Sequence, residues 1–117
     1  MIRTVSLLVR KEGSSHEDFV RHWRDIHGPL AYACPGVARY VQTEVKSSSF
    51  RTDGVGPLDA PVDGIAELWF ADQAAVDQFN ASPATRRLRE DGTTFIGRQV
   101  SFTTEEKIII PREGSKP

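Results

Sequence analysis

All three histidines of the 117-residue chain lie between His16 and His27. Imidazole is the side chain whose charge changes nearest neutral pH, so the stretch is a natural place to look for proton transfer or metal binding. Placed on a helix, Phe19, Val20, Trp23, Ile26 and Leu30 fall on one side, and Glu17, Asp18, Arg21, Arg24 and Asp25 on the other. His27 sits in the middle of the apolar stripe, one turn after Trp23. His16 and His22 do not point the same way, and no His or carboxylate lies four residues from His27 on its face. A two-histidine metal site on this helix is therefore not expected. Burial would lower the pKa of His27 and keep the ring neutral, which suits a general base or a donor to an oxyanion. Spacing alone leaves two readings open: a satisfied core histidine, or the working group of a pocket.

Other side chains could join it. Tyr40, Gln42 and Glu44 share one face of an alternating segment, and Glu67 interrupts the most hydrophobic segment of the chain. A carboxylate so placed is paired or hydrogen-bonded. Glu67 can meet an arginine, and either acid is available to orient the His27 ring. Trp23 and Trp69 read as core unless a pocket uses them as walls. The single cysteine, Cys34, has no basic neighbour to lower its pKa, cannot form an intramolecular disulfide, and reads as a small buried filler. Gly54-Val55-Gly56 has no strand before it and no helix after it, so it is not a nucleotide fingerprint. Arg86, Arg87 and Arg89 spread round a short helix as a solvated face.

The elements that must position these groups follow from periodicity. Ile2 to Val9 alternates as a strand, with Val5, Leu7 and Val9 against Thr4, Ser6 and Leu8. Ser14 with Glu17 forms a capping box for the first helix, and Gly28-Pro29 should end or kink it near His27. Val37 to Val45 is a second strand, with Val37, Val41 and Val45 opposite Tyr40, Gln42 and Glu44. Lys46 to Asp63 has no apolar period and is long for a compact domain, which suggests a mobile lid, a partner-contacting loop or disorder. Gly64 to Phe70 is a third strand, with Ile65 and Trp69 facing one way and Ala66, Leu68 and Phe70 the other, apolar enough to be buried on both sides. Asp72 caps a second helix whose inner face is Ala75, Val76 and Phe79. Ser82-Pro83 starts another helix that Gly92 can close. Arg98 to Glu106 is the fourth strand, with Val100 and Phe102 on one face. Ile108 to Pro117 forms a tail whose isoleucine run is too apolar for water, with disorder expected from Gly114 onward.

The order β-α-β-β-α-β predicts an α+β, ferredoxin-like fold, one domain over 1–107 followed by the 108–117 tail. Two helices cover only one side of a four-stranded sheet. The doubly apolar third strand and the Ile tail need another cover, and a second copy of the chain is the economical one. The same order describes RNA-recognition domains, but the first strand has no aromatic and the third no Gly-flanked basic motif. A net charge of −1 gives no electrostatic reason to expect nucleic acid or a membrane surface as partner. The opening residues resemble neither a signal peptide nor a membrane span, so a cytoplasmic location is expected.

Phe19-Val20-Arg21-His22-Trp23, His27-Gly28-Pro29-Leu30, Pro35-Gly36 and Arg39-Tyr40-Val41 together resemble the signature of EthD-type proteins, a family of the dimeric α/β-barrel superfamily. The likeness extends to Glu67-Leu68-Trp69-Phe70 and from Phe95-Ile96-Gly97 to Thr103-Thr104-Glu105. The likeness takes in members of the methylmuconolactone methyl-isomerase type in length and in the first and last strands, although Leu68 stands where that branch is expected to carry a cysteine. The resemblance implies a homodimer with a cofactor-free pocket between helices and sheet, acting on a small cyclic, aromatic-derived or polyketide carbonyl compound as a lyase or isomerase. It implies His27 as the proton-transfer group, Tyr40 and then His22 as donors to the developing oxyanion, and Trp23, Trp69, Phe70 and Glu67 as substrate-binding residues. The 46–63 loop is placed to close such a pocket. The alternatives are a non-catalytic ligand-binding accessory protein of an oxidative pathway, or a haem-binding monooxygenase of the same superfamily with His27 as axial ligand.

Overall fold

The computed structural model describes residues 1–113 apart from positions 52, 57 and 59. Four strands, β1 (Ile2–Arg10), β2 (Val37–Glu44), β3 (Gly64–Phe70) and β4 (Ile96–Thr104), form one antiparallel sheet in the order β2-β3-β1-β4. This is the ferredoxin-like arrangement that the element order implies. Helix α1 (His16–His22) links β1 to β2, while α2 (Gln73–Ala81) and α3 (Pro83–Phe95) link β3 to β4. The expected disorder from Gly114 onward lies outside the described residues. No helix of the described residues is long and apolar enough to cross a membrane.

Strand register separates the side chains cleanly. Thr4, Ser6 and Leu8 pair with Leu68, Ala66 and Gly64 and, on the other side, with Thr103, Ser101 and Gln99. Tyr40, Gln42 and Glu44 join the same face opposite Leu68, Ala66 and Gly64. The helices cover this face. Arg3, Val5, Leu7, Ile65, Glu67, Trp69, Val41, Val100 and Phe102 occupy the other, which carries no helix and leaves Val100 and Phe102 about half exposed. Pairing has one irregularity that alternation cannot foresee. A bulge between Val37 and Arg39 places Val37 opposite Phe70 on the helix side, so Val37 and Val41 do not share a face.

The helices also depart from simple periodicity. Ser15, not Ser14, caps α1, its Oγ accepting from Asp18 N at 3.1 Å, because the Ser14 hydroxyl already donates to Lys11 O in the preceding turn. After His22 the first helix widens into a π turn over Trp23–His27 before an α turn, Gly28–Leu30, and a 3-10 turn, Ala31–Ala33. The Gly28 N–H donates back to Trp23 O across this wide turn, and Pro29, which has no N–H, is absorbed without ending the helix. The widening shifts the helical face, so Ile26 points outward, 53% exposed, while His27 remains buried. Gly92 does not close α3, which runs on to Phe95.

Two apolar clusters form the interior. Leu8, Phe19, Trp23 and Phe95 make one, and Cys34, Phe70, Phe79, Ala84 and Leu88 the other. Packing around Trp23 is close: a Cβ at Gly64 would lie 2.5 Å from Trp23 Cζ3 and 2.7 Å from Cη2, so the indole rests on bare backbone. The tail beyond β4 leaves Ile108, Ile109 and Ile110 largely exposed.

Candidate active site

A cavity of about 640 Å³ opens between the two apolar clusters, walled by the helix side of the sheet and by the first helix, α2 and α3. Trp23, His27, Tyr40, Leu68 and Phe70 line one part of it, and hydroxyls from Thr4, Ser6, Ser101 and Thr103 another. A mostly apolar cleft with a few convergent polar groups is the usual form of a small-molecule site.

His27 enters from the π turn, an irregularity that recurs at functional sites. Its ring packs edge-on against Phe95 at 5.0 Å, and its Nδ1 lies 2.8 Å from Asp91 Oδ2. A carboxylate accepts, so Nδ1 carries the hydrogen, and in the neutral ring Nε2 keeps its lone pair. Burial pushes the His27 pKa down; the Asp91 hydrogen bond and charge oppose that without reversing it. The ring is thus a neutral base whose protonated form has a carboxylate beside it.

His22 meets the same carboxylate from the previous turn, with Nε2 3.1 Å from both Asp91 oxygens and the ring tilted against Phe95, centres 4.6 Å apart. It is not among the cavity-lining residues. The structure therefore places His22 behind Asp91, where it helps to hold the carboxylate.

Tyr40 reaches the cavity from β2. Its hydroxyl accepts a hydrogen bond from Gln42 Nε2 at 2.8 Å, and burial raises its pKa, so it stays a neutral phenol. Phe70 closes the far wall against Phe79, ring centres 5.2 Å apart.

Two of the residues expected to bind substrate lie elsewhere. Trp69 and Glu67 sit on the helix-free face, one residue out of phase with Leu68 and Phe70. Glu67 pairs with Arg3, and Trp69 is flanked by the Arg39 and Arg3 guanidinium groups at 4.8 and 5.5 Å from its ring centre. Strand alternation forbids Trp69 and Phe70 from walling the same cavity. The carboxylate that orients His27 is likewise neither Glu44 nor Glu67. Glu44 instead bonds His16, whose other nitrogen meets Asp63. Asp91 lies three residues after Leu88 and four before Phe95, so a carboxylate on the buried stripe of α3 was the available signal.

The fold and cavity define a class: a ferredoxin-like sheet, bare on one side, with a helix-borne histidine opening onto a cleft on the other. The chain belongs to the EthD-domain family, whose model matches residues 11–99. A 4-carboxymethyl-4-methylbutenolide mutase from Pseudomonas reinekei is 34% identical over 109 residues, which are 92% of this chain and the whole of that protein. Among solved structures, an EthD family protein from Bacillus halodurans is similar with a TM-score of 0.71 at 18% identity, covering 92% of this chain and 99% of that one. A dimeric ferredoxin-like protein from Thermobifida fusca gives 0.66 at 14% identity over 88% of each chain.

Proposed function

We propose that this chain is an isomerase that needs no cofactor and moves a proton on a small cyclic carbonyl compound, a lactone of the butenolide type being the first candidate. The observation that carries the reading is the neutral, Asp91-oriented imidazole of His27 on the wall of a mostly apolar cavity. The full-length likeness to a butenolide mutase supports the substrate class.

In this mechanism His27 Nε2 removes a proton from the CH2 group attached to ring carbon C4; its electron pair forms a C=C bond as the C4–O ring bond breaks. The departing oxygen becomes a carboxylate, and the Tyr40 O–H donates to it as the charge develops. The imidazolium is stabilised beside Asp91 and returns the proton to carbon when the other carboxylate of the opened diene closes a new lactone ring, so no atom is gained or lost. Trp23 and Phe70 favour a flat ligand and exclude water.

The second element of the proposal is a homodimer. Val5, Leu7, Ile65, Val100 and Phe102 make an apolar helix-free face that a second copy would cover, and a structural neighbour is dimeric. Size-exclusion chromatography over a range of concentrations tests this, a clean monomer counting against it.

The activity test is incubation with 4-carboxymethyl-4-methylbutenolide in deuterated water, followed by NMR. Conversion with deuterium incorporated at carbon is expected. Lactone recovered unchanged and undeuterated after long incubation would instead favour a ligand-binding accessory role.

A further inference from the structure

Gln42 fixes the polarity of the Tyr40 hydroxyl. Its Nε2 lies 2.8 Å from the Trp23 carbonyl oxygen and 2.8 Å from the Tyr40 hydroxyl. A carbonyl can only accept, so the amide nitrogen is the atom at this junction, and both of its hydrogens are engaged. The Tyr40 oxygen is then an acceptor toward Gln42, and its own hydrogen is left to point elsewhere.

Trp23 offers a second donor beside it. The residue is only 2% exposed, yet its indole Nε1–H has no hydrogen-bond partner among the described residues. Its six-membered ring is pressed against Gly64. The Gln42 amide bridges the Trp23 carbonyl oxygen and the Tyr40 hydroxyl, which holds the two residues beside each other. Trp23 and Tyr40 both line the cavity. A buried donor without an acceptor is costly, and a ligand oxygen placed between the two groups would remove that cost.

We propose that the Trp23 indole N–H and the Tyr40 O–H form a two-donor site for a ligand oxyanion on a flat conjugated system, an enolate or phenolate, with Gln42 as the residue that positions it. This assigns Trp23 a hydrogen bond where the sequence suggested only an aromatic wall. It rests on the cavity being the ligand site but not on His27 acting as a base, and the test separates the two.

The probe is 4-nitrophenolate, which carries a flat oxyanion and undergoes no turnover, with 4-nitrotoluene as its apolar counterpart. The two indole N–H signals are observed in a nitrogen–proton correlation spectrum and assigned with Trp69→Phe. The Trp23 signal should move downfield and saturate as the phenolate binds, while the Trp69 signal stays put. Trp23→Phe and Tyr40→Phe should each weaken phenolate binding about tenfold, the scale of one lost hydrogen bond to a charged group. Gln42→Leu should weaken it several-fold while leaving 4-nitrotoluene binding unchanged, which a merely structural role would not do. The proposal is overturned if millimolar phenolate does not bind, if it saturates without moving the Trp23 signal, or if the variants lose both probes equally. The wild-type spectrum decides even if Trp23→Phe does not fold. Phenolate binding with a displaced Trp23 signal but no lactone turnover would uphold the site and reject the isomerase.

Discussion

At the start of the first helix His16 bridges two carboxylates, with Nδ1 2.8 Å from Asp63 and Nε2 3.0 Å from Glu44. Further along, His27 meets one carboxylate through Nδ1 and shows its other nitrogen no protein partner among the described residues. The groups are alike and the outcomes opposite. At His16 the hydrogen bonds to Asp63 and Glu44 outweigh a small desolvation, and the pKa rises. At His27 burial beside Phe95 is the larger effect, and the pKa falls despite Asp91. An imidazole with both nitrogens tied and its charge favoured is a clamp. One with a single nitrogen tied and its charge disfavoured is a base in waiting.

The most severe way to test the contrast is His27→Ala. If His27 is the base, kcat for lactone isomerisation should fall about a hundredfold or more, whereas activity within about threefold of wild type would remove it from the chemistry. Asp91→Asn comes next. The Asn amide can present its NH₂ to Nδ1 and so favour the wrong tautomer, and the negative charge that supports imidazolium is lost. We expect a fall in kcat on the order of tenfold to a hundredfold. The acid limb of the kcat/KM profile, already below the usual imidazole value near 6.5, should move lower still, because Asp91 raises the His27 pKa. An unchanged limb would mean that His27 is not the group titrating.

A third prediction concerns the support of the site. Gly64→Ala drives a methyl into the Trp23 ring, and overpacking of this kind costs about 1–3 kcal/mol. Denaturant unfolding should show the loss, and the Trp23 indole signal should shift even without ligand. A neutral result would show that the indole has room to retreat.

Much of the scaffold is legible in the chain itself, because alternation and amphipathic spacing are local. Val5-Leu7-Val9 and the β3 pattern are enough to place the strands and their two faces. Parity alone also separates Trp69 from Phe70, so assigning both to one wall asks a strand to face two ways. The bulge at Ala38 and the π turn at Trp23 are less readable, since each changes the period by a single residue within a short element. Asp91 is hidden for a different reason. Its partner is 64 positions away, and a carboxylate in the third turn of a charged helix looks like any solvated acid until α3 is packed against the π turn.

The smallest effect is expected at His16, and its pH dependence separates a charged clamp from ordinary packing. Glu44 ends β2, and Asp63 precedes β3, so the protonated ring ties together both ends of the long loop; Arg10 holds Asp63 from β1 at 2.7 Å. Because the folded pKa of His16 is raised, its contribution is complete below the unfolded value near 6.5 and fades as pH climbs through the higher folded value. The carboxylates carry the opposite dependence: both are lowered in the fold, so their contribution holds above the ordinary carboxylate range and fades as pH falls through the depressed values. His16→Gln should therefore lower the melting temperature slightly near pH 6 and progressively less toward pH 9. Thermal melts of both proteins across that range check the sign. A gap that stays constant with pH would mean that His16 holds the loop by shape, and the contrast with His27 would then be one of position without any difference in charge.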